Sequence, residues 1–384
     1  MSCQEQQSGL SAPSILPANQ GIARISPYQA GKPIDELKRE LGLTDIVKLA
    51  SNENPLGCSP HALHAMHAAL AEVGRYPDGN GFVLKQTIHA LFAVDVNQIT
   101  LGNGSNDILE LVARTFLAAG NSAIYSQHAF AVYPLVVQAV GAVGIEVPAK
   151  DFGHDLPAMA KAVRDDTRVI FIANPNNPTG TWFAEDEFAA FMRQIPCNVL
   201  VVLDEAYVEY FPEHFDSLKF LQKHSNLLIS RTLSKAYGLA SLRVGFGLAS
   251  ADVSDLLNRV RQPFNVNALA LAAASAALQD TDFVEQSRHM NRTGMAQLEA
   301  GLRELHLTWI PSHANFLSIK IAKHGERDGV TVFNALLKKG VIVRPVTNYG
   351  MPDYIRVSIG LPSENQRFLV ALAQVLGLAP EDGA

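Results

Sequence analysis

The sequence predicts an α/β protein with two unequal parts: a large domain on a mostly parallel sheet flanked by helices, and a smaller α+β domain. Short apolar runs alternate with amphipathic stretches up to about residue 265, a pattern typical of parallel strands joined by crossover helices. Beyond that point, long helical stretches precede shorter strands. The length of 384 residues also suggests more than one domain. We predict an N-terminal arm with part of the small domain at 1–49, the large domain at 50–265 and the small domain at 266–384.

Five short apolar runs predict the strands of the large domain. Each is apolar at successive positions, as expected for strands covered by helices on both faces of a sheet. The runs are residues 122–125, 169–173, 199–203, 227–230 and 244–248. One helix is predicted to begin with Ser59 as N-cap and Pro60 in the first turn. Another should begin at Glu185, Asp186 and Glu187, because the helix dipole favours acidic side chains there.

The C-terminal part is predicted to combine helices with three short strands. Two helices are predicted over residues 266–278 and 283–305. The last helix should begin at Ser363, which has the spacing of a capping box with Gln366, and should stop before Gly377. The predicted strands are residues 316–319, 341–344 and 354–358.

The composition is that of a globular protein, with 48% apolar and 18% charged residues. The net charge of −6, from 31 basic and 37 acidic residues, argues against a nucleic acid or an anionic membrane as the main partner. Cys3, Cys58 and Cys197 form no C-x-x-C motif, so we expect neither a zinc ribbon nor a disulfide framework. Neither a secretory signal nor a membrane-spanning run is visible, so we expect a cytoplasmic protein.

Three histidines, His61, His64 and His67, are spaced by three residues on one predicted helix. The first and third would point about 240° apart, so the three cannot converge on one ion. The sequence also lacks an H-E-x-x-H motif. We therefore expect no metal site.

The strongest chemical signal is the stretch 230–245, SRTLSKAYGLASLRVG, which follows a predicted strand. The hydroxyls of Thr232 and Ser234 and the guanidinium of Arg243 surround the amine of Lys235 in sequence. This set suits an aldehyde that carries a phosphate, because the donors can hold the phosphate while the amine bonds to the aldehyde carbon.

A carboxylate, Asp204, ends the predicted strand at 199–203. A buried carboxylate at a strand end is costly unless it meets a cation or several N–H donors. A protonated pyridine nitrogen is such a cation, and Tyr207 could reach a neighbouring substituent of the ring. The alternative is an N-cap aspartate satisfied by the backbone.

A turn with two prolines and a glycine, residues 174–180, follows the predicted strand that ends at Ala173. Ligands of α/β folds bind at such strand ends, so Asn177 is a candidate to bind the phenolic oxygen of the ring. A turn selected only for its geometry is the alternative. A glycine-containing loop around Gly104 and Ser105 precedes another predicted helix and could present N–H groups to an anion.

The lysine stretch and the Asn-Pro-Thr-Gly sequence at 177–180 resemble those of the pyridoxal-phosphate-dependent aminotransferases. The resemblance implies PLP-dependent transferase fold type I, with pyridoxal 5'-phosphate as the cofactor on Lys235. It implies that backbone N–H groups of Gly104 and Ser105 hold the cofactor phosphate. It also implies that the ring of Phe130 stacks on the pyridine, although Phe130 could instead be an ordinary core residue.

Four further features resemble the histidinol-phosphate aminotransferase branch of this family. They are Ser-Pro-Tyr at 26–28, Leu-Ala-Ser-Asn-Glu-Asn-Pro at 49–55, Arg-Tyr-Pro at 75–77, and the pair of segments 340–345 and 354–358. The resemblance implies transamination between histidinol phosphate and 2-oxoglutarate, which gives imidazole-acetol phosphate and glutamate.

The same resemblance implies roles for five residues. Tyr76 would reach the cofactor phosphate of a partner subunit, so the active unit would be a homodimer. Arg356 would bind the carboxylate of glutamate or the phosphate of histidinol phosphate, with help from Arg344 and Tyr28. Asn52 would lie near the amino-acid site. A planar guanidinium can pair with either anion, although Arg344 could also be a solvated charge at a strand end.

Three other functions remain open at this point. An aromatic-amino-acid aminotransferase would use the same machinery, and a pyridoxal-dependent decarboxylase would act on a phosphorylated amino acid. A non-enzymatic regulator on this fold would need a DNA-binding segment, for which the short polar N-terminus leaves no room.

Overall fold

The computed structural model describes residues 21–27, 31–211, 215–321 and 328–378. Its strands are β1 (Val47–Lys48), β2 (Ile99–Gly102), β3 (Ser122–Ser126), β4 (Val143–Val147), β5 (Thr167–Ala173), β6 (Leu200–Asp204), β7 (Leu227–Thr232), β8 (Gly245–Leu248), β9 (Thr308–Ile310), β10 (Phe316–Lys320), β11 (Val341–Ile342), β12 (Arg344–Pro345) and β13 (Tyr354–Ser358). Its helices are α1 (Ile34–Leu41), α2 (Pro60–Ala69), α3 (Phe82–Phe92), α4 (Ser105–Phe116), α5 (Val132–Ala139), α6 (Leu156–Lys161), α7 (Glu185–Met192), α8 (Leu218–Leu221), α9 (Ala251–Val260), α10 (Ala268–Gln279), α11 (Thr281–Glu304), α12 (Gly329–Lys338) and α13 (Pro362–Leu376).

The large sheet has seven strands in the order β2-β8-β7-β6-β5-β3-β4. Strands β3 to β7 run parallel to one another, whereas β8 runs antiparallel to both β7 and β2. The register pairs Ala173 with Asp204 and Asp204 with Ser230. The carboxyl ends of β5, β6 and β7 therefore meet at one edge, beside the point where the strand order reverses between β3 and β5, which is where α/β sheets bind ligands.

Both faces of this sheet are buried, as the apolar runs predict. Ile170 and Ile172 pack in one hydrophobic cluster, while Val169 and Phe171 pack in another on the opposite face. The fold class is confirmed, and the five predicted strands are present with ends that differ by one or two residues. Strand β4 was not predicted. Its first residues are largely exposed at the edge of the sheet, so its sequence carries no continuous apolar run.

The predicted helix starts are confirmed for two helices and corrected for a third. The Oγ of Ser59 accepts a hydrogen bond from the Ala62 N–H at 3.1 Å and caps α2, and α7 begins at Glu185 with three acidic residues in its first turn. The capping box predicted at Ser363 is wrong. Pro362 takes the first helical position, so Glu364 reaches back and accepts from the Leu361 N–H at 2.7 Å.

The second sheet has four antiparallel strands in the order β12-β13-β10-β9. The strand predicted at residues 341–344 is split in two. Its first half, β11, pairs in parallel with β1 from the N-terminal segment, and its second half, β12, pairs with β13. The N-terminal segment also contributes Leu49 to the hydrophobic cluster of this part.

The predicted boundary at residue 265 separates α10 from the elements on which it packs. Ala270, Ala273 and Ala277 of α10 lie in the hydrophobic cluster of the large sheet, whereas Leu298 and Leu302 of α11 lie in the cluster of the small sheet. We therefore propose a division within the first turns of α11. Among the described residues, no helix is long and apolar enough to cross a membrane.

Candidate active site

A cavity of about 270 Å³ opens at the carboxyl edge of β5, β6 and β7. Its walls are formed by the carboxyl ends of these strands, by residues 50–53 and by β12 and β13 of the second sheet. Of the predicted site residues, those that line it are Asn52, Ser105, Phe130, Asn177, Asp204, Tyr207, Thr232, Ser234, Lys235, Arg243, Arg344 and Arg356.

Lys235 lies just beyond the end of β7 and extends into this cavity. Its Nζ donates a hydrogen bond to the carbonyl oxygen of Ser51 at 3.0 Å. Burial, reinforced by the positive charges of Arg356 and Arg243, lowers the pKa of Lys235 to about 7. A large fraction of the amine is therefore neutral near pH 7, the form that attacks a carbonyl carbon or accepts a proton.

Asp204 is the last residue of β6, and only 4% of it is exposed. Its Oδ2 accepts from the Tyr133 hydroxyl at 2.9 Å, and its Oδ1 accepts from the Ala206 N–H at 3.2 Å. Burial raises the pKa of Asp204 to about 6, and these two hydrogen bonds oppose that rise. The carboxylate therefore stays largely ionised at neutral pH although it is buried in the cavity wall, away from water. A cationic partner would stabilise it there.

Tyr207 is held by a partner from the distant segment before α2. The Nδ2 of Asn52 donates to the Tyr207 hydroxyl at 2.9 Å, and the Oγ of Ser358 donates to Asn52 Oδ1 at 3.0 Å. Burial raises the pKa of Tyr207, so its hydroxyl stays protonated. Asn52 has a φ of +55°, a left-handed conformation that asparagine tolerates better than most residues.

The two predicted substrate arginines lie side by side on neighbouring strands. Arg344 of β12 is directly opposite Arg356 of β13 in the register, and both are largely buried. Arg356 donates through Nη1 to Asn177 Oδ1 at 2.5 Å and through Nη2 to the Ala50 carbonyl at 2.8 Å. Asn177 is therefore tied to the arginine, and the Nε of Arg356 is buried without a partner among the described residues.

A second group of donors surrounds the start of α4. The Oγ of Ser234 accepts from Thr232 Oγ1 at 3.0 Å and from Arg243 Nη1 at 3.3 Å. Gly104 has a φ of +84°, and a Cβ there would lie 2.4 Å from Arg243 Nη2. A side chain at this position would be strained by the positive φ and would displace the guanidinium of Arg243, and the N-terminus of α4 at Ser105 faces the same space. Hydroxyls, a guanidinium and a helix N-terminus together form a site for a phosphate monoester.

Three of the predicted site residues are not among the described residues that line the cavity. Gly104 is adjacent to it through Ser105. Tyr76 is 82% exposed and stacks on Phe264 with ring centroids 4.7 Å apart, away from this cavity. Tyr28 lies outside the described residues.

Sequence reasoning missed Tyr133 and the main-chain partner of Lys235. Tyr133 lies in the apolar helix α5, and nothing in its neighbourhood in the sequence distinguishes its hydroxyl from that of any buried tyrosine. It also missed Glu53, which lines the cavity and pairs with Lys48 at 2.7 Å. The sequence signal that could have identified Glu53 is the segment 49–55, LASNENP, which contains it.

Within the described residues, no three His, Cys, Asp or Glu side chains are grouped so that they could hold a metal ion. His61 makes a 3.6 Å contact with Asp280 at the start of α11. This contact involves only one of the three histidines singled out from the sequence.

Residues 44–372 match the family described as aminotransferase class I and II. Among similar proteins, histidinol-phosphate aminotransferase 2 of Pseudomonas fluorescens is 60% identical over 366 residues, which cover 94% of this chain and 98% of that protein. Histidinol-phosphate aminotransferase 2 of Pseudomonas aeruginosa is 61% identical over 363 residues, with 94% and 97% covered.

The fold is also similar to solved structures. Histidinol-phosphate aminotransferase from Sinorhizobium meliloti, in complex with pyridoxal-5'-phosphate, superposes with a TM-score of 0.88 at 27% identity, covering 96% of this chain and 100% of that chain. A double mutant of aspartate aminotransferase from Thermus thermophilus superposes with a TM-score of 0.82 at 24% identity, covering 94% and 100%. The second likeness concerns the fold alone.

Proposed function

We propose that this chain, which belongs to the class I and II aminotransferase family, transfers an amino group between L-histidinol phosphate and 2-oxoglutarate. The products are imidazole-acetol phosphate and L-glutamate, as in histidine biosynthesis. The observation that carries the proposal is one cavity that holds a lysine of lowered pKa, a buried aspartate and two arginines in register. The relatives at 60% and 61% identity, both named histidinol-phosphate aminotransferase, support this substrate.

Pyridoxal 5'-phosphate fits the residues of the cavity. The donors of Thr232, Ser234 and Arg243 suit its phosphate, Asp204 suits a protonated ring nitrogen, and Lys235 suits its aldehyde. When bound, this cofactor supplies an aldehyde that condenses with amines and a cationic ring that accepts electron density from the substrate carbon. Phe130, Asn177 and Tyr207 are proposed to contact the ring.

Lys235 is proposed both to anchor the cofactor and to move the proton. Its lowered pKa leaves the Nζ neutral in much of the population near pH 7, so it could accept a proton from the α-carbon of the substrate and deliver it to the former aldehyde carbon of the cofactor. Its hydrogen bond to the Ser51 carbonyl orients the amine within the cavity.

Asp204 is proposed to keep the pyridine nitrogen protonated. The carboxylate can do so because Tyr133 and the Ala206 N–H stabilise its ionised form in a desolvated position. The Tyr207 hydroxyl, held by Asn52, stays protonated and can donate a hydrogen bond to an oxygen on the ring.

Arg356 and Arg344 are proposed to bind the anionic end of each substrate. Two adjacent guanidiniums match a phosphate dianion better than a single carboxylate, and the planar fork of Arg356 can pair with either group. One site can therefore serve both half-reactions. Asn52, whose amide already holds Tyr207, would lie beside the reacting carbon. Tyr28 is proposed to help bind the phosphate of histidinol phosphate.

We propose a homodimer in which Tyr76 contacts the cofactor phosphate of the partner subunit. Tyr76 and Phe264 form an exposed aromatic pair, and apolar side chains close to Tyr76 in the sequence are exposed as well. Exposed apolar side chains in this number support a protein–protein contact. The exposed neighbours are Leu70, Val73, Phe82 and Val83. A cytoplasmic location is also proposed.

The substrate is tested with purified holoprotein and L-glutamate, offered imidazole-acetol phosphate or phenylpyruvate. We expect kcat/KM to be higher for imidazole-acetol phosphate than for phenylpyruvate. Arg344→Gln should reduce kcat/KM for imidazole-acetol phosphate by a larger factor than it reduces kcat/KM for phenylpyruvate. A preference for phenylpyruvate would replace the proposal with an aromatic-amino-acid aminotransferase. Carbon dioxide release from a phosphorylated amino acid would replace it with a decarboxylase.

The shared site is tested by mixing two inactive variants, Lys235→Ala and Tyr76→Ala. A hybrid dimer would carry one intact site, so subunit exchange should restore up to about a quarter of the wild-type activity. Each variant alone should stay at its own low level. No recovery in a mixture shown to contain hybrids would contradict the shared site.

A further inference from the structure

A second groove, of about 580 Å³, lies apart from the active-site cavity and shares none of its lining residues. It runs between the segments 150–154 and 181–187 on one side and the segment 308–313 with Tyr354 on the other. The chain has two tryptophans, and both Trp182 and Trp309 line this groove. We call it the tryptophan groove.

Its walls are unusually rich in aromatic rings for a chain in which 8% of the residues are Phe, Trp or Tyr. Trp182 is 46% exposed and makes an edge contact with His313, with centroids 5.3 Å apart. Phe152 makes an edge contact with Tyr354 at 5.5 Å. A large, exposed aromatic face inside a concave surface is typical of a site for a flat ring.

The two histidines of the groove are neutral near pH 7. Burial lowers the pKa of His313, and burial lowers that of His154 to about 4. His154 accepts a hydrogen bond at Nε2 from the Ala173 N–H at 3.1 Å, and its Nδ1 is buried without a partner among the described residues. The walls therefore carry no positive charge from imidazole and favour an uncharged ring.

The rim of the groove is charged with both signs. Lys150 and Asp151 are exposed, and neither forms an ion pair with another described residue. Glu187 lies on the same rim. A free amino acid presents a carboxylate and an ammonium group close together, and this rim offers a partner for each.

The hairpin that carries the rim is held in a strained conformation. Asp151 and Phe152 have φ values of +49° and +64°, although neither is a glycine. Lys150 and Gly153 close the hairpin through two backbone hydrogen bonds, and Thr181 donates to the Phe152 carbonyl at 3.3 Å. Residues held in this region cost free energy and are concentrated where ligands are clamped.

The groove is connected to the active site through one turn. Thr181 of the groove follows the turn 174–180, and its carbonyl accepts from the Asn176 N–H at 2.8 Å. The next residue of that turn, Asn177, contacts Arg356 in the active site. From the opposite wall, the His313 N–H donates to the Gly180 carbonyl at 2.9 Å. A ligand in the groove would thus contact Thr181 and His313, whose backbone groups are hydrogen-bonded to this turn.

We propose that the tryptophan groove is an effector site, separate from the active site, that binds a free aromatic α-amino acid. The ring packs against the aromatic walls around Trp182. Lys150 pairs with the carboxylate, and Asp151 with Glu187 pairs with the ammonium group. Occupancy changes the affinity of the active site for its substrates through the turn 174–180.

Binding is measured directly from tryptophan emission, because both tryptophans of the chain lie in the groove. Holoprotein is titrated with L-phenylalanine and with L-histidine, and with L-alanine as a ligand that lacks a ring. We expect a saturable emission change with the two aromatic amino acids, with half-saturation at or below about 1 mM, and none with L-alanine. Absence of a saturable change up to the solubility limit overturns the proposal.

Variants separate this groove from the active site. Lys150→Glu should weaken binding by about tenfold or more while Lys150→Arg keeps it, and Lys161→Glu, an exposed lysine of α6 outside both cavities, serves as the matched control. Arg356→Ala, which disables the active-site anion partner, should leave the emission titration unchanged. If Arg356→Ala abolishes the signal and Lys150→Glu does not, the ligand is binding in the active site and the proposal is wrong.

The effector role is measured as the KM for glutamate at saturating L-phenylalanine. We expect a change of at least about threefold in wild type that is lost in Lys150→Glu, whose KM without the effector stays at the wild-type value. An unchanged KM in wild type, or an equal change in both proteins, contradicts the effector role. Competition by L-phenylalanine in the active site would change both proteins equally, so the readout is the difference between wild type and Lys150→Glu, and that difference can be absent while the proposed function holds.

Discussion

Replacing Tyr133 with phenylalanine removes one hydroxyl from the back of the active site and changes little else. That hydroxyl donates to Asp204 Oδ2 at 2.9 Å, and its ring stacks on Phe171 with centroids 5.1 Å apart, a contact that phenylalanine keeps. A hydrogen bond to a charged group contributes about 1.5–3 kcal/mol, and 1.36 kcal/mol corresponds to one pKa unit. The pKa of Asp204, already raised to about 6, should therefore rise by about a further one to two in Tyr133→Phe.

The sign of the effect on the cofactor follows from the charge of Asp204. A higher pKa means that more of the carboxyl is protonated near pH 7, and a neutral carboxyl cannot stabilise a cationic ring nitrogen. Apoprotein should lose affinity for pyridoxal 5'-phosphate as the pH falls through the pKa of Asp204. In wild type the loss should begin near pH 6, and in Tyr133→Phe it should begin about one to two pH units higher.

The assay is an absorbance titration of apoprotein with the cofactor between pH 5.5 and 9, compared with Tyr125→Phe as a matched control. Tyr125 lies on β3, half-buried, and makes no hydrogen bond to Asp204. Transamination rates for the same proteins should follow the same shift. If Tyr133→Phe and wild type lose affinity at the same pH, the hydroxyl does not control the ionisation of Asp204 and the reasoning fails.

Three further substitutions test two other residues of the site and one buried ion pair outside its lining. Lys235→Met should abolish turnover and raise the unfolding temperature of the apoprotein by a few degrees at pH 7, since it removes a buried amine whose pKa is lowered to about 7. This gain in unfolding temperature should shrink as the pH rises from 7 towards 10.5, where the amine is neutral in the folded and the unfolded protein. Calorimetry of the cofactor-free protein measures the gain. Asp204→Asn should lower the rate by about two or more orders of magnitude even when excess pyridoxal 5'-phosphate keeps the cofactor bound, and near-normal rates would show that Asp204 does not pair with the ring. Arg231→Met should destabilise the protein by about 3–5 kcal/mol in urea unfolding, because it leaves Glu205, fully buried and 2.8 Å from Arg231 Nη2, without its cation. The double variant with Glu205→Gln should recover much of that loss, and no recovery would contradict the ion-pair explanation.

The parts of the fold that the sequence predicts well are those encoded locally. The runs that became β5, β6 and β7 are apolar on both faces, so burial alone determines their conformation. The edge strand β4 and the split between β11 and β12 could not be predicted this way. The split arises because Val341 pairs with Val47, 294 residues earlier in the chain, whereas Arg344 pairs with Arg356, 12 residues later. The start of α13 was misassigned because Ser363 and Glu364 offer two competing caps, and Pro362 decides between them.

In the candidate site, too, residues marked by local sequence could be predicted, whereas contacts from distant segments could not. Lys235 and Asp204 follow buried strands, and their chemistry could be predicted from residue type and position. The contacts that tune them come from elsewhere. Tyr133 reaches Asp204 from α5, and Asn52 reaches Tyr207 across a separation of 155 residues. No local pattern predicts hydrogen bonds of this kind, because they depend on the tertiary packing of segments that are distant in the sequence.

Burial in the active-site cavity explains why its lysine and its aspartate are both shifted towards their neutral forms. Desolvation acts on both groups, and the positive charges of Arg243 and Arg356 add to the effect on Lys235. The lining carries four basic side chains, Lys235, Arg243, Arg344 and Arg356, against the two carboxylates Glu53 and Asp204. A phosphate dianion held near Arg243 would offset this excess and let the amine of Lys235 gain a proton more readily. Cofactor binding should therefore raise the pKa of Lys235 as well as position the ring. The same bound phosphate would then set both the net charge of the cavity and the basicity of its catalytic lysine.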